Sequence, residues 1–306
     1  MKWPNNKKFA FTIIDDTDGG FVNNTKPVYD LLNQLNIKTT KTVWVYPPRD
    51  RFQGGYLLDN NYFNFIKELQ DKGFEIALHN VGSGNFNRNE IQTGIEIFKE
   101  KIGYYPKIQI NHASNYDNIY WGYKRFTNPI RYFYQKFTKK IYLGDDFESS
   151  YFWGDINKDK IKYMRNHCFY GINTHKYDKI MPYKVKKKPY TNYFFSSSDG
   201  DTVEVFNNLI SKKNVDKLEK QGGFCIVYTH FSQGFVNKDG EVNQLFKSSL
   251  EYLSTKDGWF APASEILDYI LEQRTNSINY ASKFNLLMLD MRWLLSRLKK
   301  KLLFKR

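Results

Sequence analysis

Phe9-Ala10-Phe11-Thr12-Ile13-Ile14-Asp15-Asp16-Thr17-Asp18-Gly19-Gly20 is the stretch that decides the fold. Residues 9–14 are apolar apart from Thr12, as in a strand covered on both faces, and they run directly into an acidic turn closed by glycines. Downstream, Val28, Leu31, Leu32 and Leu35 fall at helical spacing, and Pro27 is read as lying in the first turn of that helix. A second strand is predicted at 42–46 and a third at 74–78, with Tyr62, Phe65, Ile66 and Leu69 as the apolar stripe of the helix between them. Asn87 with Glu90 forms a capping box ahead of the stripe Ile91, Ile95, Phe98 and Ile102, and a fourth strand follows at 107–111. This alternation predicts an α/β fold with a parallel sheet or barrel wrapped by helices.

Between 120 and 190 the pattern blurs into aromatic, basic and turn-rich sequence with one helix near 129–137. It resumes with strands at 193–196 and 224–228 and helices at 215–220, 242–253 and 264–271. The total is six or seven βα units. The 306 residues are therefore read as one domain over 1–275, followed by a basic helical segment over 276–306. Hydrophobic residues at 41% and charged residues at 25% exclude wholesale disorder. Two cysteines, Cys168 and Cys225, make no disulfide framework and no Cys-x-x-Cys site. Pro4, Asn5, Asn6, Lys7 and Lys8 precede only a short apolar run, so a cytoplasmic location is expected.

In parallel βα architectures ligands bind where the strands end. After the first strand come Asp15, Asp16 and Asp18; after the third, His79-Asn80; after the fourth, Asn111-His112; after the strand at 224–228, Thr229-His230. Three of the five histidines and an acidic triplet thus share one rim, whereas His167 and His175 fall in the blurred region and are read as structural. Tyr46, Phe52, Tyr56, Trp121 and Trp153 are aromatic faces on which a sugar could stack, and Asp18, Asn80 and Asn111 are polar groups to bind it.

These residues resemble the polysaccharide deacetylases of carbohydrate esterase family 4, which share a NodB-homology domain. Ile13-Ile14-Asp15-Asp16 is similar to the family's opening Thr-Phe-Asp-Asp-Gly motif, with Thr17-Asp18 inserted before Gly19. Ile76-Ala77-Leu78-His79 is similar to its metal-binding motif, Ile226-Val227-Tyr228-Thr229-His230 to its late catalytic strand, and Gly258-Trp259-Phe260 to its final Trp turn. The resemblance implies a distorted (β/α)7-type barrel and a divalent metal, zinc by its nitrogen-rich donors. It further implies Asp15 as general base, Asp16 and His79 as metal ligands and His230 as general acid, with removal of an N- or O-acetyl group from a carbohydrate or lipid-linked glycan. Two departures stand out. Ser83 occupies the position of the second metal histidine, so His112 is the expected third ligand and Asp18 the alternative; and the family's Arg-containing third motif is replaced by Ile110-Asn111-His112-Ala113.

Other readings remain open: a metal-free glycoside hydrolase using carboxylates among Asp15, Asp16, Asp18, Asp155 and Asp199; a non-catalytic glycan- or membrane-binding barrel; and a serine esterase at Ser196-Ser197-Ser198. Lys+Arg exceed Asp+Glu to give +14, and half of that excess lies beyond residue 282, where eight basic residues face Asp290 alone. Phe284, Leu287, Met291, Leu294, Leu295, Leu298 and Leu302 recur there near helical period, beside Trp293. That combination predicts a helix lying on an anionic membrane, peripheral to its inner face, with docking on the barrel as the alternative. A charge excess concentrated in one tail, without a recognised motif, argues against nucleic acid.

Overall fold

Seven parallel strands close on themselves in chain order in the computed structural model, which describes residues 2–274 and 280–304. They are β1 (Phe9–Asp15), β2 (Thr40–Val43), β3 (Glu75–His79), β4 (Ile108–Ile110), β5 (Tyr163–Phe169), β6 (Tyr193–Asp199) and β7 (Phe224–Thr229). β1 pairs along its length with β7 and closes the ring on β2 through two register pairs, Ile14 with Thr40 and Asp15 with Lys41. Lower on β1, Phe9–Phe11 pair instead with β8 (Gly258–Phe260), so an eighth strand wedges into the seam. The Thr40 hydroxyl and the Glu75 carboxylate accept the backbone N–H groups of Ala263 and Ser264 at 2.9 and 3.1 Å, which satisfies the polar groups that the wedge leaves open. All seven residues of β1 are buried, as the unbroken apolar run requires of a strand that has barrel interior on one face and helices on the other. The molecule is thus a distorted (β/α)7 barrel.

Local sequence signals account for most helix boundaries. Helix α2 (Asn60–Asp71) begins where the Asp59 carboxylate accepts the Tyr62 N–H at 2.7 Å. Helix α3 (Arg88–Ile102) begins with the reciprocal Asn87/Glu90 capping box and ends on Gly103, whose φ of +93° suits only glycine. Helix α1 (Val22–Gln34) differs from expectation: it starts before the apolar stripe, with the Asn24 side chain accepting the Phe21 N–H at 2.8 Å, and Pro27 lies inside it.

The blurred region contains β5 and, besides the expected helix at Ile130–Lys136, two further short helices, Gly154–Lys160 and Thr174–Tyr177. β5 escapes an apolar-run reading because Arg165, Asn166 and His167 sit consecutively within it, all buried. Its register against β6 shifts between Arg165 and Cys168.

The expected junction at 275/276 lies outside the described residues. Beyond it, helix Lys283–Phe304 packs on β5 and its surroundings through buried Leu289, the partly buried Trp293 and Phe304, and a set of polar contacts. Asp290 accepts the N–H and hydroxyl of Thr127, both at 2.7 Å, and lies 3.1 Å from His167 Nε2. Arg297 and Lys300 donate to Asp199 at 3.1 and 2.7 Å, and Lys300 reaches Asp201 at 2.8 Å. Removing a buried acceptor strands its donors, so Asp290→Ala should lower urea-unfolding stability by about 3 kcal/mol, whereas Leu298→Ala on the exposed side should change it by less than about 0.5 kcal/mol. Two equally silent substitutions would show that the helix is not docked in solution.

Candidate functional site

Neighbouring residues of a strand face opposite sides, and the end of β1 uses this alternation to separate two adjacent carboxylates. Asp15 faces the helix layer: its Oδ2 accepts from Lys41 Nζ at 2.7 Å and from the Tyr29 hydroxyl at 3.2 Å, and its Oδ1 accepts the Phe231 N–H at 2.9 Å. Asp16 faces the barrel mouth, where Arg165 holds it with two parallel bonds, Nη1 to Oδ1 at 3.0 Å and Nη2 to Oδ2 at 2.5 Å. The guanidinium lies over the Tyr228 ring, 4.5 Å from its centre. Burial works against ionisation of Asp16, but the Arg165 charge outweighs it and holds the carboxyl below its ordinary range.

Asp18 is the meeting point of the three rim histidines. Its Oδ1 lies 2.7 Å from His112 Nε2, and its Oδ2 lies 3.2 Å from His79 Nε2 and 3.3 Å from His230 Nε2. Gly19, at φ +69°, makes the approach possible: a Cβ there would come within 2.9 Å of Ser232 Oγ, whose hydroxyl donates to the Asp18 carbonyl.

Each imidazole has its other nitrogen committed. Nδ1 of His79 lies 3.2 Å from the Ile110 carbonyl and Nδ1 of His230 lies 3.1 Å from the Asp201 carbonyl; a carbonyl only accepts, so both nitrogens donate. Nδ1 of His112 lies 3.0 Å from Asn115 Oδ1, an oxygen identified as such because it also accepts the Gly84 N–H while Asn115 Nδ2 donates to the Gly82 carbonyl. In the neutral state all three Nε2 atoms therefore carry lone pairs toward one carboxylate, and such a cluster is stable only with protons or a cation at its centre. Burial lowers the basicity of His112 and His230, but the neighbouring Asp18 outweighs it in both; His112 is raised and His230 is pushed up to about 9, with Asp16 assisting at the latter. Asp18, against the effect of its own burial, is held well below the ordinary carboxylate range, first by His79.

The donor set fits a divalent metal. Asp18, His79 and His112 bring one ligand atom each within 4.8 Å of one another, and Asp16, Asp18 and His230 form a second, overlapping group. Asp18 Oδ1 and His112 Nε2 are buried without an aligned hydrogen-bond partner although they lie close together, as expected of two atoms directed at a common third point. Two imidazoles and a carboxylate suit zinc or another first-row ion.

The remaining candidates are distributed as follows. Asp16, expected as a metal ligand, lies outside the Asp18–His79–His112 group but in the overlapping one with His230, and Asp18, expected as a substrate contact and as the alternative third ligand, stands in both. Asn80 is buried and used internally: its Oδ1 accepts the His112 N–H at 2.8 Å and its Nδ2 donates to Asp117. Asn111 spends both amide ends on the Ile119 backbone. Trp153 is 1% exposed, with its indole N–H on the Asp117 carbonyl, so its face is not open to a sugar. Trp121 is partly exposed under the Arg125 guanidinium, and Phe52 lies edge-on to His112 at 4.6 Å. Ser83 donates to Asp50 at 2.6 Å, His167 faces Asp290, and His175 stacks on Phe224. Sequence reasoning missed Arg165, Asn115 and the Asp201 carbonyl. A basic residue in a run ending Cys168-Phe169 was the one available signal, and its significance depends on recognising β5 as a strand.

Neither a family model nor a curated protein matches the sequence. Solved structures do. A protein from Pseudomonas aeruginosa PAO1 described as a polysaccharide deacetylase superposes with a TM-score of 0.56 at 11% identity, over 90% of this chain and 95% of that one. The Puue allantoinase gives 0.55 at 11%, over 90% and 94%, and a Mycobacterium smegmatis protein also described as a polysaccharide deacetylase gives 0.51 at 12%, over 92% and 96%. The chain thus has, over about 90% of its length, the barrel fold of the polysaccharide deacetylases.

Proposed function

We propose that the protein is a metal-dependent hydrolase that removes an acyl group, acetyl in the first instance, from a carbohydrate or lipid-linked glycan. The observation that carries this reading is the convergence of three imidazole Nε2 atoms, each with its Nδ1 proton committed elsewhere, on the Asp18 carboxylate. Asp18, His79 and His112 would hold the ion, which supplies Lewis acidity toward an acyl carbonyl and toward water. Asp16, kept ionised by Arg165, accepts the proton of the attacking water. His230 donates a proton from Nε2 to the departing amine or alkoxide, while its Nδ1 bond to the Asp201 carbonyl holds the ring in place. The orientation of Asp15 toward Lys41, Tyr29 and the Phe231 N–H favours Asp16 over Asp15 as the base. The carbohydrate substrate is supported by the fold shared with proteins described as polysaccharide deacetylases; an allantoinase shares it too, so the fold alone does not select the substrate.

Two other chemistries fit less well. A carboxylate-pair glycosidase needs one protonated carboxylic acid, but Asp16 and Asp18 are both held below the ordinary range, Asp155 is bound by Arg88 and Asp199 by Lys300. Ser196, Ser197 and Ser198 direct their hydroxyls at Asp178, Cys168 and the Gly171 carbonyl, with no imidazole base among these partners.

Asp16→Asn should lower turnover of an acetylated oligosaccharide by about 10² to 10⁴, measured well below its thermal midpoint because the substitution also leaves the buried Arg165 guanidinium without its counter-charge. Asp15→Asn should instead cost about 3–5 kcal/mol of stability by leaving the Lys41 ammonium buried without its counter-charge. A stable, inactive Asp15→Asn beside an active Asp16→Asn would reverse the assignment of the base.

Zinc added to chelator-treated protein at neutral pH should bind with release of protons, read from the dependence of calorimetric heat on buffer ionisation, and Asp18→Ala should abolish the binding. Absence of zinc uptake by the parent protein would remove the metal from the reading.

In the metal-free protein the His230 pKa is raised from an ordinary 6.5 to about 9, so its stabilising contribution is complete below about pH 6.5 and lost as pH rises through about 9. Thermal midpoints measured in chelator should fall across that window, and more steeply than those of His230→Gln. Parallel profiles for the two proteins would show that His230 is not held charged.

A further inference from the structure

Helix Lys283–Phe304 docks by a mixed face that includes Leu289 as well as polar residues, and leaves a second run of apolar side chains exposed. Asp290, Ser296 and Lys300 are buried against the barrel, with Tyr170 donating its N–H to Ser296. Phe284, Met291, Leu295, Leu298 and Leu302 recur every three to seven residues on the outer side, and Leu302 is 73% exposed. A second apolar surface lies alongside. Segment 130–141 packs through Tyr134, whose ring is 6.3 Å from that of Trp293, with Phe126 contacting both at 5.0 and 4.9 Å. It exposes Tyr132, Phe133, Ile141 and, at 89%, Phe137.

The charge around these residues is of one sign. Arg131, Lys136, Lys139 and Lys140 accompany the first segment with no acidic residue between 129 and 142, and Lys299 and Lys301 are exposed on the helix, whose single acid, Asp290, is buried. Two copies meeting through this face would set cation against cation, so a symmetric dimer is disfavoured. Apolar side chains ringed by cations match the boundary between acyl chains and anionic headgroups. No described helix is long and apolar enough to cross a membrane, which leaves attachment in the plane of the interface.

We propose that the outer face of helix Lys283–Phe304 and the aromatic segment 130–141 form a single surface that seats on an anionic phospholipid bilayer. Both elements are needed: the helix supplies the aliphatic stripe and the segment supplies aromatic rings and four of the cations.

The test is co-sedimentation of the full-length protein with vesicles of phosphatidylcholine alone or mixed with phosphatidylglycerol. Binding is expected to the mixed vesicles and to weaken at high ionic strength. Leu298→Glu/Leu302→Glu and, separately, Phe133→Ser/Phe137→Ser should each reduce partitioning at least about tenfold. The altered side chains are exposed, so unchanged circular dichroism and thermal midpoint identify any loss as one of binding. Absence of binding to the mixed vesicles, or full binding by the Phe133/Phe137 variant, overturns the joint surface. Concentration-dependent dimerisation abolished by the same substitutions, with no vesicle binding, assigns the face to a second copy instead. The readout needs no substrate and is independent of the proposed activity.

Discussion

The buried ion pair between Asp15 and Lys41 fixes the frame in which everything at the barrel mouth is set. The two residues are register partners in the short β1–β2 pairing that closes the ring, and both are within 1% of complete burial. Besides Lys41, the Asp15 carboxylate takes a bond from Tyr29 on α1 and another from the N–H of Phe231, the residue after His230. One side chain thereby ties together strand closure, the first helix layer and the loop that carries His230 beside Asp18. Burying two charges is costly unless their remaining bonding capacity is filled, and here the extra donors fill it.

The alternation at this strand end also explains the division of labour among three closely spaced aspartates. Asp15 turns outward to structure, Asp16 inward to Arg165, and Asp18 lies beyond the strand, where the turn carries it to the histidines. The sequence order of acids, His79, His112 and His230 was legible because each follows an apolar run, and burial on both faces makes such runs conspicuous. Which acid does what was not legible, because it depends on where β1 stops pairing and on the turn geometry at Gly19.

Arg165 was hidden for a different physical reason. Strand reading relies on apolar continuity, and β5 gives that up in order to present polar side chains: Arg165 to Asp16, Asn166 to the Tyr183 hydroxyl, His167 to Asp290. The terminal helix, whose leucine stripe is read from the sequence as a membrane surface with docking as the alternative, meets Thr127, His167, Asp199 and Asp201 on the barrel with its polar residues and buries Leu289 beside them, leaving the rest of the stripe largely exposed. Where a surface is itself charged, the rule that apolar faces go inward gives way to bond satisfaction.

β1 has a further consequence, for the order in which the molecule is assembled. Its partners are β2, β7 and β8, so Phe9–Asp15 pairs along its length with Phe224–Thr229 and at its start with Gly258–Phe260, both made long after it. Closure of so long a loop is entropically costly and places this barrel among slow, high-contact-order folders. During synthesis the seven apolar-rich residues of β1 must wait with one edge unpaired, and the chain's tendency to aggregate before completion will be governed by that wait rather than by the finished structure's stability.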